Sequence, residues 1–362
     1  MNVKRFGWSN FRNLSEGEIF PSPGVNVICG KNAQGKTNLL EGMWLFTGER
    51  SFRGAKDSEL VKKGSDRGEI SLDFYGAERD QNAKIKIING RRSAELNGVP
   101  KKSCTALIGE FRAAVFSPEH LSLLQGGPAG RRNFIDAALC QIKPAYAALF
   151  AEYNRSLAQR NALLKDIPRS AELLDTLEVW DVRLVQFGEK IMRGRAAYLE
   201  KLAPPAAGFY SGMCGGREIL ELSYERNASD FAAALKESRR ADLITGHTGV
   251  GPHRDDIAVS ISGMDARAYG SQGQKRSAVI ALKLAEAQLL TQITGETPVI
   301  FLDDVLSELD DERQGYLLNR LTGFQVFITC CGPEAARAPE CGSVFHVEHG
   351  VPEQQNIPMK EN

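Results

Sequence analysis

Two groups of residues in this 362-residue chain could do phosphate chemistry. Gly30-Lys31-Asn32-Ala33-Gln34-Gly35-Lys36-Thr37 fits G-x-x-x-x-G-K-[ST] in full, the pattern of a loop whose backbone N–H groups surround a β-phosphate. The glycines allow the tight backbone path, and the positive end of a following helix adds to the attraction. Lys36 is expected to reach the β- and γ-phosphates, and the Thr37 hydroxyl to ligate Mg²⁺. The second group is Asp303-Asp304, which follows the apolar run Val299-Ile300-Phe301-Leu302. A buried parallel strand ending in a carboxylate would deliver it beside the phosphate loop. Asp303 is then a second Mg²⁺ residue, and Asp304 is placed to orient and polarise an attacking water. Together they predict an ATP site.

Two further segments narrow the class. Tyr269-Gly270-Ser271-Gln272-Gly273-Gln274-Lys275-Arg276 opens a helix before the Asp-bearing strand. It resembles the signature of ABC-type ATPases, usually written L-S-G-G-Q, with Gln272 in place of the first glycine. Ser271 and the Gly273 amide at a helix start form a second candidate anion site, with Gln272 and Gln274 beside them. Ser307-Glu308-Leu309-Asp310 resembles the D-loop of the same family. That resemblance implies an ATP-dependent homodimer with two composite sites, the signature of one subunit closing over nucleotide held by the other.

Phe11-Arg12-Asn13-Leu14, Phe116-Ser117-Pro118-Glu119-His120, Gly251-Pro252-His253-Arg254-Asp255-Asp256 and the Ser-Gln-Gly-Gln signature together resemble the RecF family of bacterial recombination mediators, which is related to SMC and Rad50 heads. The resemblance spans essentially the whole chain. It implies ATP and Mg²⁺ as cofactors, binding to gapped DNA at single-strand/double-strand junctions, and RecO and RecR as partners in loading RecA. The setting would be replication, recombination and SOS repair. It also implies slow ATP hydrolysis that releases the clamp. Asp304 stands where many ABC ATPases carry a glutamate, and Thr329-Cys330-Cys331 where they carry a switch histidine; both point to weak turnover. A Q-loop glutamine is expected near Phe116–His120, with Gln125 a candidate. Another ABC clamp of the chromosome-organising type would need long coiled coils. A monomeric P-loop kinase would leave Ser271 and the D-loop unexplained.

The elements that must position these groups are legible in part. Val25–Cys29 is a short strand, and Leu39, Leu40, Met43, Trp44 and Phe46 recur at helical spacing after it. Glu69–Tyr75 and Ala83–Ile88 alternate like strands, and Asn89-Gly90 and Asn97-Gly98 signal tight turns between antiparallel strands. From Tyr146 to Leu164 and from Leu173 through Leu177, Trp180, Leu184 and Phe187 to Ile191, apolar residues mark the seam of a short helical hairpin. Its stripe is expected to be core, in an arm of roughly 45 Å at most. Ala203–Gly216, with two prolines and four glycines, reads as a loop, and the tail after Val351 as frayed. Strand and helix then alternate to the end, which suggests parallel α/β structure. The expected architecture is α/β: an ABC-type P-loop ATPase head with an antiparallel β-subdomain and a second, mainly helical lobe carrying the hairpin. Residues 1–115 and 275–362 would form the nucleotide-binding lobe, and 116–274 the signature-bearing lobe.

Bulk properties exclude little. With 42% hydrophobic and 25% charged residues the chain is of ordinary globular composition. No apolar run approaches the roughly 18 residues of a membrane span, and Met1–Arg5 leads into a strand-like segment, so a cytoplasmic protein is expected. Seven cysteines without regular spacing argue against a disulfide framework. Cys331, Cys341, His346 and His349 are the nearest approach to a zinc pattern. The net charge is zero, so a DNA contact would need a local basic face. Candidates are Arg131-Arg132 with Arg155 and Arg160, or Lys62-Lys63, Arg91-Arg92 and Lys101-Lys102.

Overall fold

The computed structural model describes residues 1–121, 123–332 and 341–355. The chain divides into two compact units, Met1–Ser122 with Arg276–Asn362, and Leu123–Lys275. In chain order the elements are β1 (Asn2–Phe11), β2 (Leu14–Ile19), β3 (Val25–Cys29), α1 (Lys36–Trp44), β4 (Arg67–Gly76), β5 (Arg79–Ile88), β6 (Arg91–Leu96), β7 (Val99–Lys101), β8 (Ala113–Phe116) and α2 (Pro118–Leu121). Then come α3 (Pro128–Ile142), α4 (Pro144–Asp166), α5 (Leu174–Cys214), β9 (Leu220–Glu225), α6 (Phe231–Thr245), β10 (Asp256–Ile261), β11 (Met264–Asp265) and α7 (Ala266–Tyr269). The last third holds α8 (Gln272–Thr294), β12 (Val299–Asp303), α9 (Asp311–Arg320), β13 (Val326–Cys330), β14 (Cys341–Glu348) and β15 (Val351–Gln355).

The first unit holds two sheets. One, in the order β2-β1-β4-β5-β6-β7, is antiparallel throughout. Its strands β4 and β5 alternate buried with more exposed residues, as one-sided burial of a pleated strand requires. Asn89-Gly90 and Asn97-Gly98 connect β5 to β6 and β6 to β7 with positive φ at all four residues, the geometry that matches strand twist in two-residue hairpins. The other sheet runs β15-β14-β3-β13-β12-β8 and is parallel except for the β14–β15 pair. Strands β8, β12 and β13 are buried at every residue, so their apolar runs do not alternate. A core containing Phe6, Phe11, Leu40, Phe74, Val115, Phe301 and Phe327 fills the space between the sheets and α1.

The second unit packs α3, α4, α5 and α6 with the three-stranded sheet β11-β10-β9. In the hairpin seam Leu177, Leu184 and Ile191 are fully buried while Trp180 and Phe187 are half-buried, so the stripe is core. Two expectations fail here and at the C-terminus. Ala203–Gly216 is no loop: α5 runs unbroken through Pro204 and Pro205 to Cys214, 41 residues in all. Leu199, Leu202, Ala206, Tyr210 and Met213 are buried at steps of three and four, so apolar burial carries the helix on. The prolines deprive the carbonyls of Glu200 and Lys201 of helical donors, but both residues lie on the exposed side of the helix. The tail expected to fray after Val351 starts as a strand: Val351–Gln355 pairs with β14 in register from Glu348↔Val351 to Val344↔Gln355, and the rest of it, 356–362, lies outside the described residues.

Gly251–Asp256 ties the second unit together. Arg195, almost fully buried, donates through two nitrogens to Asp136 at 2.9 and 2.7 Å and through a third to the Pro252 carbonyl at 2.6 Å. Tyr153 Oη meets His253 Nδ1 at 2.7 Å, and His253 Nε2 lies 3.0 Å from the Thr248 carbonyl. Asp255 accepts from the Tyr224 hydroxyl and the Asn227 N–H, and Asp256 takes both arms of Arg131 at 2.8 Å. Burial opposes the charge on Arg195, yet the hydrogen bonds and charge of Asp136 outweigh it and raise its pKa. The motif is therefore a structural knot. Its Arg254 is exposed and belongs to none of these ion pairs.

Candidate functional site

The phosphate loop leaves β3 at Cys29 and enters α1 at Lys36. Gly30 has φ +150°, and a Cβ there would lie 2.4 Å from the Val347 carbonyl oxygen, so no other residue fits against β14. Gly35, at φ +109°, would place a Cβ 2.7 Å from Asn13 Oδ1. Asn13 itself clasps the loop, donating to the Ala33 carbonyl at 3.4 Å and accepting from Asn38 at 2.7 Å. On the other side the His349 N–H donates to Gln34 Oε1 at 2.5 Å, and Cys331 Sγ lies 3.4 Å from Asn32 Oδ1. Lys36 Nζ folds back over the loop to the carbonyls of Gly30 and Lys31, at 2.6 and 3.0 Å.

Parallel register brings the acidic pair alongside. Asp303 pairs with Thr329 across β12 and β13, and the Thr37 hydroxyl donates to Asp303 Oδ1 at 2.8 Å across 266 residues of sequence. Burial pushes the Asp303 carboxyl above the usual carboxylate range, against the hydrogen bonds from Thr37 and Thr329. Asp304 follows with φ +53°, and lines a cleft of about 610 Å³ with the loop, Thr329, Arg12, Arg53 and Lys63. That size suits a small-molecule ligand. A hydroxyl and a buried carboxylate in contact are a hard, oxygen-only donor set of the kind Mg²⁺ uses. The surrounding cations and the N-terminus of α1 suit the polyphosphate that would accompany it.

Sequence reasoning missed part of the cleft. Arg12 was visible only as part of a family pattern; its guanidinium makes a paired contact with Glu41 at 2.8 and 2.7 Å. Glu41 is fully buried on α1 and also accepts from Ser51, with Arg53 at 4.0 Å. Arg53 carried no local signal, Lys63 was visible only as one of a basic pair, and Thr329 only within the segment that stands where a switch histidine is expected; the fold brings all three to the loop.

Ser271, Gln272, Gly273 and Gln274 belong to the second unit, whereas Gly30–Thr37, Asp303 and Asp304 meet in the first. The signature start is a reciprocal cap: Ser271 Oγ accepts from the Gln274 N–H at 3.2 Å, and Gln274 Oε1 accepts from the Ser271 N–H at 2.8 Å. Gln274 Nε2 is anchored on Glu218 at 2.7 Å, and Gln125 donates to Gln272 at 2.9 Å. In the first unit Arg276 holds the D-loop through the Glu308 carbonyl at 2.9 Å and its carboxylate.

The basic face expected on the helical lobe does not form. Arg160 is fully buried between Asp181 and Asp242, at 2.6 and 2.7 Å, and Arg131 is buried on Asp256. Of that set Arg155 is exposed, 2.9 Å from Glu152. On the β-subdomain Arg92 is spent on Asp57 and the Glu49 carbonyl. A buried arginine persists only when its charge is paired, and here aspartates on other elements supply the pairing, although Arg160 Nη2 is left without a hydrogen bond. Among the described residues no three His, Cys, Asp or Glu side chains group as a metal site.

A loop of this geometry beside an Asp-bearing parallel strand, with an antiparallel sheet and a helical unit, defines an ABC-type ATPase head. A sequence profile described as the RecF/RecN/SMC N terminal domain matches residues 2–353. The Smc head bound to the C-winged helix domain of ScpA shares the fold, with TM-score 0.60 at 13% identity over 99% of each chain. The DNA replication and repair protein RecF of Agathobacter rectalis is 40% identical over 355 residues, 97% of this chain and 98% of that protein. RecF of Caldanaerobacter subterraneus subsp. tengcongensis is 40% identical over 362 residues, covering 95% and 98%. A solved structure of the recombination mediator protein RecF-ATP in the RecFOR pathway superposes with TM-score 0.91 at 37% identity, over 98% of each chain. The chain belongs to the RecF family.

Proposed function

We propose that this protein is an ATP-dependent DNA clamp with weak ATPase activity, acting in DNA replication and recombinational repair. The contact between Thr37 and Asp303 carries the reading, because it joins the phosphate loop to the Asp-bearing strand at the floor of a cation-lined cleft. Lys36 exchanges its two loop carbonyls for the β- and γ-phosphates, and the loop N–H groups donate to the remaining phosphate oxygens. Thr37 and Asp303 would hold Mg²⁺, which would supply neutralisation of charge on the transferring phosphoryl group. Asp304 orients the attacking water and takes its proton. Being shorter than glutamate, it makes a slow switch and not a motor.

In this reading residues 1–115 and 275–362 bind nucleotide, and 116–274 present Ser271–Gln274 to the nucleotide of a second copy. The similarity to RecF in the RecFOR pathway supports RecO, RecR and DNA as partners; the reading adds gapped DNA as substrate, RecA loading as outcome and the cytoplasm as compartment. Among the described residues no helix is long and apolar enough to cross a membrane.

Sedimentation with a labelled gapped duplex tests this, with and without a non-hydrolysable ATP analogue and with a blunt duplex as control. A dimer that forms only with nucleotide and holds gapped DNA better supports the clamp; a monomer under every condition rejects it. Asp304→Asn should slow hydrolysis by on the order of 100-fold or more while nucleotide still drives dimerisation; turnover at the parent rate would remove Asp304 from its role. Ser271→Arg should leave nucleotide affinity within roughly threefold, since exposed substitutions away from the site change little, yet block dimer closure. A normal nucleotide-bound dimer from that variant contradicts the composite site.

A further inference from the structure

We infer that Thr329 is a positioning residue for ATP hydrolysis, its single hydroxyl setting both acidic residues of the site. This inference rests on the ATPase reading above. Thr329 sits on the buried strand β13, directly paired with Asp303 of β12, so both side chains leave the sheet on the same face. Its Oγ1 donates to Asp303 Oδ1 at 2.9 Å and accepts the Asp304 N–H at 2.9 Å. Thr329 also lines the cleft.

The second of those bonds has the greater consequence. Asp304 lies in the left-handed region at φ +53°, a conformation few non-glycine residues adopt and one that persists only where neighbours impose it. Two hydroxyls do so here. Thr329 takes the N–H, and Ser307 Oγ donates to the Asp304 carbonyl at 2.8 Å. The peptide on each side of Asp304 is thereby pinned, and with it the direction of the carboxylate into the cleft. A group that must donate to a carboxylate and accept from an amide at once is a hydroxyl. Valine has the shape of threonine and can do neither; serine can do both.

The test compares Thr329→Val and Thr329→Ser with the parent in single-turnover ATP hydrolysis, alongside titration of a fluorescent ATP analogue. Thr329→Val should keep analogue affinity within roughly threefold and lose on the order of 100-fold in hydrolysis rate, the effect of a reacting group displaced by about 1 Å. Thr329→Ser should recover most of that rate. Amide hydrogen exchange at Asp304 gives a second readout, faster in the valine variant and near the parent in the serine variant. A valine variant at the parent rate, or a serine variant as slow as the valine one, overturns the inference. A parent that turns over no ATP overturns the ATPase reading and this inference with it. Normal parent turnover with an indifferent Thr329 overturns this inference alone.

Discussion

Replacing Lys36 with alanine is expected to lower ATP affinity by on the order of 100-fold and to abolish nucleotide-dependent dimerisation. The Lys36 ammonium is nearly buried and lies 2.6 and 3.0 Å from the carbonyls of Gly30 and Lys31. It therefore does two things. Without nucleotide it ties down a loop that carries Ala33 at φ +64° and Gly30 at φ +150°. With nucleotide it moves a charge onto the phosphates. A hydrogen bond to a charged group is worth about 1.5–3 kcal/mol, so a net loss of about one such bond, once the two loop carbonyls given up on binding are allowed for, accounts for the expected factor. Isothermal titration with a non-hydrolysable analogue measures the affinity, and sedimentation the assembly. Binding within a few-fold of the parent would show that the loop amides suffice and that the assignment of Lys36 is wrong.

Replacing Arg195 with methionine should cost about 3–5 kcal/mol of stability, the penalty for leaving a buried charge without its partner. Arg195 and Asp136 are both nearly buried and share two hydrogen bonds, and the fully buried Asp255 lies 3.8 Å from the same guanidinium. Methionine fills the volume but leaves both carboxylates facing an apolar neighbour, and the Pro252 carbonyl loses its donor. Lysine should not rescue it, because a single ammonium cannot reproduce the paired contact with Asp136. Urea unfolding followed by circular dichroism reads the loss. A change below about 1 kcal/mol, the range of exposed ion pairs, would mean that water replaces the guanidinium and that the Gly251–Asp256 loop is not the knot described above.

The sequence by itself determined the chemistry that is local. The spacing of Gly30, Gly35, Lys36 and Thr37 specifies a phosphate loop because only a short run of backbone has to close around one ligand. Alternation in β4 and β5, uninterrupted apolar runs in β12 and β13, and the two Asn-Gly turns were legible for the same reason: each depends on neighbours within a few residues. The family resemblance extended this to the whole chain without locating the contacts.

Tertiary structure decided what depends on residues far apart. Pro204 and Pro205 read as a break, since a proline removes a helical hydrogen bond; burial of Leu202, Ala206 and Tyr210 overrode that, on the face of the helix opposite the exposed Glu200 and Lys201. Arg131 and Arg160 read as a DNA-facing patch, but aspartates as distant as 125 residues along the chain draw them inside. Charge shows in a sequence, whereas the partner that neutralises it does not. Arg53 gave no sign of belonging to the cleft, and Thr329 showed only as part of the segment standing where a switch histidine is expected. They reach it through strand register and a buried carboxylate, which come into being only when the chain has folded.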